Sequence, residues 1–299
     1  MYKPGSKELY CLGNLPAASE SINELMPKLL ARLNSASELK TRLFSIEFLS
    51  TLSGQMLVTL IYHRPLGEEW NLVGETLQKE FGIQIIGRSR KQKISLTSDF
   101  VTEVLNIDEQ KYQFQQIEGS FTQPNALINQ EMINWALTQV GQQQGDLLEL
   151  YCGNGNFTIP LSRRFNQVLA TEISKSSIRA LNWNIEANAV DNLKCARLAA
   201  EEISEALQKV RPFRRLAEID IDSYKFSHIL VDPPRAGMDE KTTAFAQEFE
   251  SIVYISCNPE TLAVNLQQIC ETHEIVATAL FDQFPFTPHM ESGVYLRKK

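Results

Sequence analysis

The chain has 299 residues, 43% of them hydrophobic and 22% charged, with a net charge of −7. That is apolar material for two modest packed cores, and no apolar run approaches the ~20 residues that a membrane helix needs. The N-terminus lacks the apolar stretch of a secretory signal. The five cysteines show no paired spacing that would suggest a disulfide framework or a zinc site, so reduced thiols in the cytoplasm are the expected state.

An acidic net charge, taken alone, disfavours a polyanionic partner. The basic residues are unevenly spread, with clusters at Arg88, Arg90, Lys91 and Lys93, at Lys209, Arg211, Arg214 and Arg215, and at Arg297-Lys298-Lys299. Each cluster by itself reads as a solvated surface.

After a short leader, Met1–Asn14, residues 18–34 carry apolar side chains at helical spacing, with Ser19 or Ser21 as N-cap and Glu24 three residues beyond Ser21. Residues 43–50 and 55–62 read as strands around a Ser-Gly turn, residues 68–81 as a helix, and residues 83–96 as a hairpin with Gly87 near its bend. This first part is an α+β unit of short, locally connected pieces. Beyond residue 145 strand and helix alternate. Strands are expected at 146–151, 167–171, 192–196, 228–231, 252–256, 275–281 and 293–296, and helices at 174–188, 241–249 and 260–271. Such alternation gives a mostly parallel, doubly wound sheet, whose ligands bind beyond the carboxyl ends of its strands.

Chemistry-bearing residues fall at those strand ends. Asp146-Leu-Leu-Glu-Leu-Tyr151-Cys-Gly153-Asn-Gly155-Asn156-Phe157 is an apolar strand followed by a Gly-rich turn. It lacks the spacing of a dinucleotide fingerprint and the Walker lysine. Glu172, at the next strand end, suits the two hydroxyls of a ribose. A Gly-rich turn with this carboxylate and no phosphate-binding groups favours S-adenosylmethionine over NAD; the bland alternatives are a tight turn and a helix-capping acid. Asp232 in Asp232-Pro233-Pro234-Arg235 follows another strand, where a loop-initiating Asp-Pro is the competing explanation. Cys257, in Ser256-Cys257-Asn258-Pro259, stands just ahead of a helix N-terminus, which is expected to lower its thiol pKa. Most lone cysteines are simply buried, and Cys152, Cys195 and Cys270 are assigned to that class. Glu291, in His289-Met290-Glu291, is the acid nearest the last strand, after a loop carrying Phe281, Phe284 and Phe286.

Together with Phe121-Thr122-Gln123-Pro124-Asn125, these motifs resemble the RNA uridine C5-methyltransferases, the tRNA-acting branch above all. The likeness runs from about Pro16 to the C-terminus, with five motifs in matching order. It implies a Rossmann-like S-adenosylmethionine methyltransferase domain with a seven-stranded, mostly parallel sheet over residues 121–299, behind a smaller α+β RNA-binding region over residues 1–120. It implies Cys257 as nucleophile and Glu291 as proton acceptor. It places Gln123, Tyr151, Asn156, Glu172 and Asp232 against S-adenosylmethionine, and makes the T-arm of tRNA, with uridine 54, or a similar loop in another RNA, the partner. Members carry a longer stretch ahead of Pro16, so RNA affinity is expected to be weakened here. The cysteine run that holds an iron–sulfur cluster in a branch acting on ribosomal RNA is missing, so no cluster is expected. Methylation of ribosomal RNA and a non-catalytic RNA-binding module stay open as alternatives.

Overall fold

The computed structural model describes residues 5, 6, 8, 10 and 12–299. Cys11 and most of the leader's first residues lie outside that set. The chain forms two compact units, Met1–Val101 and Thr102–Lys299.

In the first unit, α1 (Glu20–Ser35) starts at Ser19, whose hydroxyl accepts from the Ile22 amide at 3.4 Å, so Ser19 and not Ser21 is the cap. Its apolar stripe Leu25, Leu29 and Leu33 is buried. A short α2 (Ser37–Lys40) leads into β1 (Leu43–Ser50), which pairs antiparallel with β2 (Met56–Tyr62). Helix α3 (Glu68–Phe81) then returns the chain so that β3 (Gln84–Ser89) lies parallel to β2, and β4 (Gln92–Ser95) folds back on β3. The bend of this hairpin is not at Gly87. Gly87 sits inside β3 opposite Ile94, and the chain reverses at Arg90-Lys91, where Lys91 takes a positive φ of 60°. Gly87 is required by packing: an added Cβ would lie 2.4 Å from the Trp70 ring. Trp70 is 1% exposed and packs in this unit's core with Leu29, Leu60 and Ile85.

The division between the units comes ahead of residue 120. The hairpin of β5 (Phe100–Ile107) and β6 (Gln110–Ile117) belongs almost wholly to the second unit. There β6 is held against a helix by two asparagines described below. After α4 (Ala126–Val140) the strands β7 (Asp146–Leu150), β8 (Val168–Thr171), β9 (Leu193–Ala196), β10 (Phe226–Val231), β11 (Ser251–Ser256), β12 (His273–Phe281) and β13 (Glu291–Lys298) form one sheet in the order β12-β13-β11-β10-β7-β8-β9. The five strands from β11 to β9 are parallel, and β13 and β12 run antiparallel at one edge. The seven-stranded, mostly parallel sheet expected from sequence is present.

Helices α4, α5 (Thr158–Leu161) and α6 (Lys175–Ala187) cover one face, over Leu147, Val168, Leu230 and Val253. Helices α7 (Ala200–Leu207), α8 (Glu240–Ala246) and α9 (Pro259–Ile269) cover the other, over Leu148, Leu169, Ile229 and Ile252. Both faces are dry, so the central strands read as unbroken apolar runs. The chain moves outward from β7 to β8 and β9, then crosses to β10 and β11 on the other side. The switch point therefore lies between the adjacent strands β7 and β10, where such sheets bind ligands. Among the described residues no helix is long and apolar enough to cross a membrane.

Overpacking of the kind a Gly87→Ala change would cause costs about 1–3 kcal/mol. Denaturant unfolding should show Gly87→Ala weaker than wild type by about that amount. Gly13→Ala, where an added Cβ meets nothing within 4 Å, should stay within about 0.5 kcal/mol.

Candidate active site

A cavity of about 630 Å³ opens at the carboxyl edge of the sheet, and every site residue singled out in the sequence borders it: Gln123, Tyr151, Asn156, Glu172, Asp232, Cys257 and Glu291. Tyr151, Glu172, Asp232 and Cys257 each follow directly on a parallel strand or lie within a residue of its end. Glu291 reaches the same edge by the opposite direction of travel. It is the first residue of antiparallel β13, and its neighbour Ser292 pairs with Ser256 at the end of β11.

The Gly-rich turn separates into two jobs. Gly153 has a φ of +56°, and a Cβ there would meet nothing within 4 Å, so the backbone is open to a ligand. Gly155 has a φ of +87°, and a Cβ there would lie 2.4 Å from Leu181 on α6; its glycine serves core packing and not a ligand. Tyr151 takes a positive φ of 58°, a strained conformation for a side chain of its size. Its ring packs against the α7–α9 side of the sheet. Burial pushes its hydroxyl up to about 12.

Glu172 is braced by three backbone amides: Gly153 donates to Oε2 at 3.0 Å, and Ile173 and Ser174 donate to Oε1 at 2.8 Å each. The helix cap is Ser174 itself, so Glu172 is not needed for capping. Asn156 forms a reciprocal amide pair with Asn129 of α4, at 2.7 and 2.8 Å, which leaves one of its N–H donors for a ligand. Asn184 of α6, fully buried, donates to the Asn154 carbonyl and accepts from the Gln115 amide of β6. Asn188 treats Gln113 in the same way with both of its amide groups. These two side chains fasten β6 to α6 beside the turn.

The electrostatics departs from the sequence expectation for Cys257. The thiol is half-buried and its pKa is raised, first by burial and then by the nearby Glu291 and Asp232 carboxylates. The following helix N-terminus does not lower it on balance. Glu291, 2% exposed, is pushed up to about 7 by burial, and its Oε2 has no hydrogen-bond partner. Asp232 is raised well above the usual carboxylate range by burial and by Glu291. A further acid, Glu149 in β7, borders the same cavity and was not singled out in the sequence. It is 1% exposed, its Oε2 is unpartnered, and burial raises it to about 8. Arg235, exposed at the mouth, is the only cationic side chain on the cavity wall among the described residues. Cys152 also borders the cavity, but burial and the Glu149 and Glu172 charges hold its thiol well above the ordinary value, so it is inert.

Elsewhere the basic cluster at 209–215 is neutralised locally, by Lys209–Asp222, Arg211–Glu205 and Arg215–Glu202 pairs at 3.0, 2.8 and 3.5 Å. No group of three or more His, Cys, Asp or Glu among the described residues is placed to hold a metal ion.

A ribose-suited acid, a Gly-rich turn and a switch-point cavity walled by buried acids fit one cofactor class: a nucleoside bearing a cationic sulfonium and no phosphate. The fold and cavity define an S-adenosylmethionine-dependent methyltransferase. The comparisons agree. The family described as tRNA (uracil-5-)-methyltransferase matches residues 1–299. A tRNA/tmRNA (uracil-C(5))-methyltransferase of Neisseria meningitidis is 54% identical over 299 residues, covering 99% of this chain and 82% of that one. Its counterpart in Pseudomonas putida is 51% identical over 300 residues, covering 100% and 83%. Among solved structures, a Pyrococcus abyssi tRNA (uracil-54, C5)-methyltransferase in complex with S-adenosyl-L-homocysteine has a similar fold. Its TM-score is 0.72 at 20% identity, over 97% of this chain and 70% of that one. The complex structure of aTrm5 and tRNALeu aligns with a TM-score of 0.53 at 12% identity, over 94% and 78%. The chain belongs to the tRNA (uracil-5-)-methyltransferase family.

Neutralising Glu291 removes a negative charge that opposes the Cys257 thiolate. Glu291→Gln should therefore speed alkylation of Cys257 by iodoacetamide at pH 8 by roughly three- to tenfold, equivalent to ~0.5–1 pKa unit. Peptide mapping with Cys257→Ala as the blank assigns the signal. An unchanged or slower rate would contradict the electrostatic coupling described above.

Proposed function

We propose that this enzyme methylates carbon 5 of the uridine at position 54 in the T-loop of tRNA, with Cys257 as nucleophile and Glu291 as proton acceptor. The observation that carries this reading is that the two residues border one cavity together with the cofactor-suited residues Gln123, Asn156, Glu172 and Asp232. Carbon 5 of uracil is a poor nucleophile. Addition of the Cys257 thiolate to carbon 6 breaks the 5,6 double bond and makes carbon 5 electron-rich. S-adenosylmethionine, when bound, supplies the electrophilic methyl that carbon 5 takes. Glu291 then accepts the carbon 5 proton, the 5,6 double bond reforms, and the thiolate leaves carbon 6. The uridine must be turned out of its loop for both faces of the ring to be reached. The similarity to tRNA/tmRNA (uracil-C(5))-methyltransferases supports a T-arm-like loop in other RNAs as a further substrate. The net charge of −7 favours recognition of loop shape over general attraction to phosphate.

A T-arm RNA with 5-fluorouridine at the target position tests the chemistry, since fluorine cannot leave as a proton does. With S-adenosylmethionine, the wild type should form a covalent protein–RNA adduct visible on a denaturing gel, and Cys257→Ala should form none. An adduct that persisted in Cys257→Ala would refute the nucleophile. The pH profile gives a second check. Glu291 must be ionised to accept a proton and is raised to about 7, so kcat should climb through an acid limb near pH 7, well above the range of an ordinary glutamate.

A further inference from the structure

The loop between β12 and β13 carries one buried polar side chain that the reaction above does not use. Gln283 is 1% exposed, and its Nε2 donates to the Gln123 side-chain oxygen at 2.8 Å across 160 residues of sequence. Its own Oε1 is buried without a partner. An acceptor left buried in this way is unfavourable. A methionine would fill the same space without that cost, so what the amide contributes is its bond to Gln123.

That bond has a directional consequence. A side-chain amide has an oxygen that accepts and a nitrogen that donates twice. With its oxygen occupied by Gln283, Gln123 retains its N–H donors for a ligand in the cavity it borders. Four acids, Glu149, Glu172, Asp232 and Glu291, border the same cavity, with Arg235 exposed at its mouth. S-adenosylmethionine carries one anionic group, its amino-acid carboxylate, which these acids repel whenever they are ionised and to which they offer no fixed donor. The Gln123 amide is a place on this wall where it meets donors.

We propose that Gln283 is a positioning residue that fixes the Gln123 amide with its oxygen turned to the β12–β13 loop and its N–H donors turned to the cofactor's carboxylate. This rests on the reading that Gln123 contacts the cofactor. The same bond ties the cofactor wall to the loop that brings Phe284 to the cavity.

Calorimetric titration tests it with two probes, S-adenosylmethionine and 5′-methylthioadenosine, which lacks the amino-acid part. In Gln283→Met, affinity for S-adenosylmethionine should fall about tenfold, as for loss of a hydrogen bond to a charged group, with affinity for 5′-methylthioadenosine within about twofold of wild type. Gln123→Met should give the same pattern, and the double variant should be no worse than either single one. Gln283→Asn, which keeps the loop polar while withdrawing the donor, should match Gln283→Met and serves in its place if that variant does not fold. Additive losses in the double variant, a parallel loss of 5′-methylthioadenosine affinity, or no loss at all would overturn the proposal. Wild-type protein that bound neither probe would overturn the cofactor assignment of the cavity, and the proposal with it.

Discussion

Burial of several carboxyl groups around one cavity, without a buried cation among the described residues to balance them, is the constraint from which the behaviour of this site follows. Glu149, Asp232 and Glu291 are each shifted upward chiefly by loss of water, and each then raises its neighbours. A site of this kind is poorly satisfied when empty. It is suited to a ligand with positive charge at its centre and a nucleoside at its side, which describes a sulfonium cofactor. Two of these acids, Glu291 and Asp232, also oppose ionisation of Cys257. Cys257 is therefore not a permanently activated thiolate of the sort that a helix N-terminus alone would create.

The sheet explains how residues so distant in sequence come to share that cavity. Three parallel strands end in register, Leu150 beside Thr171 on one side and Val231 on the other, and β11, which pairs Tyr254 with Val231, runs two residues further along the same direction to Ser256. Each strand therefore delivers the residue after it to the same edge. Antiparallel β13 delivers its first residue instead of its last, which is why the proposed base lies at the start of a strand and the proposed nucleophile just past the end of one. The two interlocked asparagine systems, Asn129 with Asn156 and Asn184 with Asn154 and β6, hold the Gly-rich turn from both sides. Their amide hydrogen bonds replace the strand ladder that the turn lacks.

The parallel domain was legible because its signals are periodic and local: apolar strands, helices between them, and polar residues at the strand ends. What was not legible has physical reasons. The β5–β6 hairpin turns through Asp108 and Glu109, both at positive φ (48° and 61°). Such a turn normally announces itself by Asn-Gly or Asp-Gly, and a glutamate in that position gives no signal. Gly87 misled in the opposite sense, since a glycine required by the Trp70 ring looks the same in sequence as a glycine required by a bend. Glu149 is an acid inside an apolar strand, an anomaly that could have marked it, but only the fold shows that it borders the cavity. Gln283 and Asn129 act through partners 160 and 27 residues away, and no pattern along the chain encodes those pairings.

In the proposed reaction the shared charge acts twice, in opposite directions. While Glu291 is ionised it raises the Cys257 pKa, and a thiolate of higher pKa is intrinsically the stronger nucleophile, though scarcer. Once Glu291 has taken the carbon 5 proton it is neutral, and its opposition to negative charge on the sulfur is gone. A thiol of lower pKa is the better leaving group. The proton removed from carbon 5 thus eases departure of the sulfur from carbon 6, and the order of the two events is favoured by electrostatics without any movement of the protein. Asp232, the other carboxyl that raises the Cys257 pKa, sets the level about which this exchange takes place.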